Sequence, residues 1–314
     1  LAPRPPQTVY TSLQRPLGAA GGAGVSQVRG GMATLAQALA GAAEQAGAEL
    51  RCSARVEAIT MSGERVAGVT LASGEQVAAA CVVSGVDPVT TFSRLLGLDK
   101  VETDTARRVS QIRNKSGTAK LHLALKSLPE FTGLDETALG QRLLRAPDMD
   151  YVERAFNPVK YNDYAREPTM DISIPTVNDP GLAPDGQHVL SAIVHHAAFD
   201  IAGGWDANRD QVIDEWLTCL SQYAPGIREQ VVASELLSPA DIERDYHASG
   251  GHWDHVEPSL DQVLMMRPFP AASRYAAPVP GLYLCGAGSH PGGGLNGLAG
   301  ANAADVILRE GAGK

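Results

Sequence analysis

The strongest chemical signal in this 314-residue chain is a run of glycines near its C-terminus. Gly281-Leu-Tyr-Leu-Cys285 reads as a buried strand. Gly286-Ala-Gly-Ser-His-Pro-Gly-Gly-Gly-Leu-Asn-Gly297 follows it, and a small-residue helix is predicted from Leu298 to Glu310. Seven glycines between Gly281 and Gly297 let the backbone approach a planar ligand without Cβ atoms in the way. The helix start offers free N–H groups and a partial positive charge, and Gly300, Ala301, Ala303 and Ala304 keep its first turn thin. A flavin suits such a site. Its N1–C2=O edge gathers negative charge on reduction, and a helix N-terminus aimed there favours the reduced form. A glycine-rich helix entry that serves only close packing gives the same pattern, and both readings stand at this point.

Other reactive side chains are weighed against plainer roles. His290 lies inside the glycine loop, where it could donate a proton, orient a substrate or brace the loop through a hydrogen bond. His195, His196, His247, His252 and His255, with Asp254, invite a metal reading. However, His252-x-x-His255 lacks the i, i+4 spacing of a helical zinc pair and no thiolate accompanies it, so no metal is expected. Met265 and Met266 are expected to fill core gaps. No Ser–His–Asp order, Walker loop or paired-carboxylate signature is visible.

The elements that must position the loop can be read from periodicity. Gly30-Gly31-Met32 opens a helix in which Met32, Leu35, Leu39 and Ala43 share a face, with Gly47 as its C-terminal stop. Ala48-Glu-Leu-Arg51 is predicted as a short strand. Residues 54–84 read as a meander, with turns at Ser62-Gly63-Glu64 and Ser73-Gly74-Glu75, ending in the buried run Ala80-Cys-Val-Val-Ser84. Asp87-Pro88 closes that unit, and a short helix is predicted from Thr90 to Leu96 with Gly97 as its cap. Residues 98–275 carry more charge, more proline and almost all the histidine and tryptophan. There, Lys120-Leu-His-Leu-Ala-Leu-Lys126 alternates, so His122 should point with the lysines away from the leucines. Gln187 to Val194 reads as another strand, and Arg209 to Gln222 as a helix with Val212, Trp216 and Leu220 on its face. The scattered cysteines (Cys52, Cys81, Cys219 and Cys285) are read as small buried apolar residues of a reducing compartment.

Composition excludes several classes. Apolar residues at 44% supply a core, which rules out a disordered chain. No apolar run approaches the ~20 residues that span a bilayer. A net charge of −9 without a basic stripe gives no reason to expect nucleic acid.

Gly30-Gly31-Met32, the Arg55-Val56-Glu57 meander, Val83-Ser-Gly-Val-Asp-Pro88 and above all Gly286-Ala-Gly-Ser-His-Pro-Gly-Gly-Gly294 resemble flavin-dependent phytoene-desaturase-type oxidoreductases. Within that group the chain resembles the branch called pyridine nucleotide-disulfide oxidoreductase domain-containing protein 2. Ser116 to Leu125, Ile174 to Pro184, Gly250-Gly-His-Trp-Asp-His255 and Arg267-Pro268 match that branch too, and the likeness runs from about residue 22 to 310. The resemblance implies an α/β chain of the FAD-dependent amine-oxidase and desaturase type. A partial cofactor lobe (residues 25–88 and 276–314) would flank a mixed-sheet substrate lobe (residues 89–275), after a loop over residues 1–24. It implies FAD as cofactor, with Val56 at the adenine and Ser84 among the cofactor contacts. Gly286, Ala287, Gly288 and Pro291 would lie along the pyrophosphate and ribityl chain, and Gly294, Asn296, Gly297 and Leu298 at the flavin ring. Ala287 stands where related amine oxidases carry an acid, so the contacts there should come from backbone. His255, Arg267 and His290 are the candidate catalytic residues.

The family also opens with G-x-G-x-x-G between a strand and a helix. This chain holds no such unit, because Pro291 takes the third glycine's place after Gly286-x-Gly288. It is therefore expected to be the C-terminal portion of a longer flavoenzyme that takes hydride from a hydrophobic small molecule and passes electrons to a separate acceptor. Self-association to a homodimer and peripheral contact with a membrane are further expectations, and the cysteine usage suggests a cytoplasmic setting. The rival readings are a non-catalytic apo fragment or assembly module, an amine oxidase, and a flavin-dependent isomerase of the same fold. Aromatic residues at 5% do not encourage the amine-oxidase reading, which favours an aromatic pair framing the flavin.

Overall fold

The computed structural model describes residues 27–311, so the loop expected over residues 1–24 lies outside the described residues. Two compact units divide the chain. Of the described residues, one unit comprises 27–50 with Gly117–Asp241, the other Arg51–Ser116 with 242–311. The packing thus divides elsewhere than the change in composition at residues 88 and 276. Residues 89–116 and 242–275 fold with the glycine loop, whereas the helix Met32–Gln45 belongs to the other unit. Composition along a chain does not register contacts between segments more than a hundred residues apart.

In order along the chain, the strands are β1 (Val56–Ser62), β2 (Arg65–Leu71), β3 (Gln76–Ala78), β4 (Val82–Ser84), β5 (Thr118–Leu125), β6 (Leu143–Arg145), β7 (Met170–Ser173), β8 (His188–His195), β9 (Val231–Leu237) and β10 (Leu282–Leu284). In the first unit, five of them form a sheet in the order β6-β7-β8-β5-β9. Leu121, Leu123 and Leu125 of β5 are fully buried, while Lys120, His122 and Ala124 are half-buried on the opposite face. Such alternation is the mark of an antiparallel sheet covered on one side. Every pairing in the sheet is antiparallel, which corrects the mixed sheet expected for this lobe. The covering layer is the helix Trp205–Ser221, whose Val212, Trp216 and Leu220 are buried as its spacing predicts. The buried indole N–H of Trp216 donates to Ala165 O at 2.9 Å, and that of Trp205 to Ala198 O at 3.1 Å. Full burial of each such apolar side chain contributes about 1.5–3 kcal/mol.

The helix Met32–Gln45 forms as expected and ends at Gly47, whose φ of 93° needs glycine. None of its residues is buried, and Met32 and Leu39 are 51% and 65% exposed. The strand expected over 48–51 does not form; all four residues are exposed. Ala48 and Leu50 would share one face of a strand, but they are exposed with nothing packed on them.

In the second unit, β1, β2 and β3 make the antiparallel meander with tight turns at Gly63 and Gly74. β4 and β10 pair in parallel, Val82 opposite Leu282 and Ser84 opposite Leu284. Residues 90–96 wind as a single π-helix, capped by Gly97 at φ 94°. Its Phe92 packs against Phe269 with ring centroids 5.6 Å apart, in a core shared with Ile59, Val66, Leu282 and Leu284. The helix Leu298–Glu310 closes the unit. Of the cysteines only Cys219 is buried; Cys81 and Cys285 are half-buried and Cys52 is exposed, so packing explains one of the four. Among the described residues no helix is long and apolar enough to cross a membrane.

Candidate functional site

Ligands of open α/β sheets bind beyond the carboxyl ends of parallel strands, and β4 and β10 end side by side at Ser84 and Leu284. The next peptide continues the pairing, with Cys285 N–H donating to Ser84 O at 2.9 Å. From there the chain enters the glycine loop, whose glycines do two different jobs. A Cβ on Gly286 would stand 2.4 Å from Gly85 O and 3.1 Å from His255 Cε1, and one on Gly288 2.7 Å from Pro88 Cδ. A Cβ on Gly292 would meet Arg267 Nε at 3.2 Å, and one on Gly293 would overlap the Asp254 carboxylate. These four glycines are therefore required by the protein's own packing. Gly297 and Gly300 have open space in the Cβ direction, and Gly294 meets only the Asn296 amide, at 3.6 Å. Residues 294–298 are all exposed, Leu295 by 82% and Leu298 by 49%. One half of the loop is thus packed against the protein and the other is open.

Arg267 fixes the closed half. It is 2% exposed and its guanidinium donates to Ala287 O at 2.8 and 3.2 Å, to Asp254 O at 2.6 Å and to Gln262 O at 3.3 Å. That pattern makes it a positioning residue for the loop, and it occupies the carbonyl of Ala287. Tyr275 ties the loop to the last helix: its hydroxyl donates to His290 O at 3.0 Å and accepts from Asn302 Nδ2 at 2.8 Å. The Ser84 hydroxyl, expected at the cofactor, is buried instead against the Thr91 hydroxyl at 2.7 Å, because the entry to the π-helix packs directly over it. Val56 sits on β1 opposite Leu71. Pro291 and His290 are half-buried in the loop, joined by a cis bond, as are Arg267 and Pro268.

Three imidazoles of the second unit each have one buried nitrogen left over. The Nδ1 atoms of His252, His255 and His290 are buried and have no hydrogen-bond partner, an arrangement that calls for a water or a ligand. His255 adopts φ 65°, and its N–H donates to His252 O at 2.7 Å. Burial, the Arg267 charge and then His255 push the His252 imidazole down to about 4. Burial likewise lowers His255, and it raises the Asp254 carboxyl. Burial thus favours the neutral form of His255.

Sequence reasoning missed Asp87 as an organiser. It is 1% exposed, and its carboxylate accepts from Thr90 N–H at 2.8 Å and from Ser249 N–H at 3.4 Å. An aspartate three residues ahead of a helical run is a recognisable capping signal, and Asp87-Pro88 carries it. Tyr275 had no local signal, since its partners His290 and Asn302 lie 15 and 27 residues along the chain.

The residues fit a flavin on its ring side. The open half of the loop runs into the amides of the first turn of Leu298–Glu310, which have no intrahelical acceptor. Asn296 Oδ1 takes one of them, the Leu298 N–H, at 2.9 Å, leaving the others for an electron-rich ring edge.

Residues 8–308 match the model of the family described as flavin containing amine oxidoreductase. Pyridine nucleotide-disulfide oxidoreductase domain-containing protein 2 of Mus musculus is 34% identical over 98% of this chain and 56% of its own length. A lycopene-forming phytoene desaturase of Pseudescherichia vulneris is 29% identical over 88% of this chain and 54% of its own. The chain thus spans about half the length of the curated relatives it matches. In fold it is similar to an oxidoreductase from Methanosarcina mazei, with a TM-score of 0.57 at 18% identity, covering 90% of this chain and 55% of that one. It is also similar to a putrescine oxidase variant, with a TM-score of 0.54 at 15% identity, covering 89% and 53%. By sequence, the chain belongs to the flavin containing amine oxidoreductase family.

Proposed function

We propose that this chain is the flavin-ring and substrate portion of an FAD-dependent dehydrogenase or desaturase acting on a hydrophobic molecule, and that a longer protein supplies the rest of the FAD site. The cofactor of this flavin family is FAD, and when bound it supplies a hydride acceptor. The observation that carries the reading is the divided loop, closed on the protein at Gly286–Gly293 and open at 294–298 beside a helix start. Gly294, Asn296, Gly297 and Leu298 would hold the ring, and exposed Leu295 and Leu298 offer apolar surface to a substrate. Forming a double bond removes a hydride and a proton from neighbouring carbons. Neutral His255 is the candidate acceptor for that proton, with His290 as the alternative. Arg267 keeps the loop in place. Phytoene desaturases among the relatives favour a hydrocarbon over an amine as substrate.

Anaerobic mixing of the flavin-loaded protein with an isoprenoid hydrocarbon and, separately, with primary amines separates the rival readings. The expected result is bleaching of the flavin absorption by the hydrocarbon and no change with amines. Bleaching by amines alone would make the protein an amine oxidase and sink the desaturase reading.

A further inference from the structure

The first unit holds a cavity of about 240 Å³ within its own residues. Phe131, Leu134, Leu143, Ile172 and Leu220 line it, and Arg145 is its one charged side chain. Arg145 is only 7% exposed, whereas Leu134, Leu144 and Tyr223 at the rim are 40–57% exposed. Arg145 therefore lies at the buried end with Phe131, Ile172 and Leu220, and Leu134, Leu144 and Tyr223 form the mouth.

Arg145 is incompletely answered by the protein. Its Nη1 donates to the Tyr151 hydroxyl and, at 2.7 Å, to Pro168 O, while its buried Nε–H has no acceptor. Its guanidinium carbon lies 5.0 Å from the Tyr151 ring centroid and 5.4 Å from that of Tyr223. These aromatic faces offset part of the cost of burying the charge. No carboxylate pairs with it among the described residues. Glu167 is felt by Tyr151 and Cys219 but forms no ion pair with Arg145. Tyr151 cannot balance the charge either, because burial pushes its phenol up to about 12 and its proton stays in place. A buried cation without a counterion is costly, and an unused N–H beside an apolar cavity is how a carboxylate-headed ligand is recognised.

We infer that this cavity binds a small amphipathic carboxylate of the medium-chain fatty-acid kind, with its head on Arg145 and its alkyl chain along Leu134, Leu143 and Phe131. The volume lies just below the ~300–1,000 Å³ typical of drug-sized ligands, which limits the guest to a short chain. The site belongs to the sheet unit alone and does not depend on the flavin reading.

The test is calorimetric titration of the full chain with octanoate, acetate, octan-1-ol and octylammonium. One saturable octanoate site per chain is expected, with octanol and acetate each at least about tenfold weaker, since a charge-assisted hydrogen bond and a buried chain each contribute that much. Octylammonium should not bind. Arg145→Met should weaken octanoate at least about tenfold, and Leu134→Trp, which fills the mouth and leaves the arginine in place, should abolish binding. Absence of a saturable octanoate site overturns the proposal, as does octanol or octylammonium binding as tightly as octanoate. Unchanged octanoate binding in either folded variant overturns it as well. If Arg145→Met fails to fold, Leu134→Trp decides.

Discussion

Replacing Arg267 with methionine should destabilise the protein by about 3–5 kcal/mol, the range for breaking a fully buried charged network. The side chain is 2% exposed and joins Ala287 O, Asp254 O and Gln262 O through four donor–acceptor contacts. Methionine matches much of the volume but offers no donor, so three buried carbonyls lose a partner at about 1–3 kcal/mol each. Lysine keeps the charge, yet its single ammonium cannot span the three carbonyls, so Arg267→Lys should recover only part of the loss. Urea unfolding followed by tryptophan fluorescence measures both. The variant should also show a second effect. The Arg267 charge is one of the causes that lower His252, so the histidine should titrate closer to its ordinary value in the methionine variant. A loss below about 1 kcal/mol, the worth of an ordinary hydrogen bond, would show that the clamp is dispensable.

Acid should unfold the protein well above the range in which carboxylates titrate. The His252 imidazole is pushed down to about 4 and that of His196 to about 3, in both cases mainly by burial. Above pH 6.5 both are neutral in the folded and unfolded states, and stability does not depend on them. As the pH falls below 6.5, the unfolded chain takes up protons that the folded chain refuses, so stability drops until the folded values are reached. At 1.4 kcal/mol per pH unit each histidine removes about 2 kcal/mol between pH 7.5 and pH 5. His255 is shifted in the same direction. Asp254 opposes them, because its raised carboxyl binds a proton more readily when folded. Urea midpoints at pH 7.5 and pH 5.0 should therefore differ by the equivalent of about 4 kcal/mol. His252→Asn should flatten about half of that slope. Equal midpoints at the two pH values would mean that these imidazoles reach water.

The elements that carry the site were legible where one short-range pattern decides them. The β10 strand, the Leu298–Glu310 helix, the Thr90–Leu96 turn of helix and the face of β5 follow from apolar runs and alternation, and each is where the pattern puts it. What escaped the sequence depends on distant partners. Ser84 turns inward because Thr91 packs over it. At Gly286, Gly288, Gly292 and Gly293 an added Cβ would meet Gly85, Pro88, Arg267 and Asp254. Arg267 acts on Ala287, twenty residues further on. Ala48 to Arg51 had strand-like composition and nothing to pair with in the pattern itself. The antiparallel sense of the five-stranded sheet could have been drawn from the half-buried alternation of β5, which a parallel, doubly covered strand does not show.

The account rests on the loop being open to a flavin ring at residues 294–298. Titration of riboflavin, which carries the ring without the adenine dinucleotide part, with the purified chain, followed by quenching of flavin fluorescence, tests it most directly, with Leu298→Arg as the control because an exposed leucine at the ring face can be replaced without disturbing the core. The account predicts saturable quenching by the unmodified chain and at least about a tenfold weakening in the variant, whose thermal midpoint stays unchanged. No quenching by the folded chain, or equal quenching by the variant, would contradict the placement of the flavin and leave the chain as a binding or assembly module.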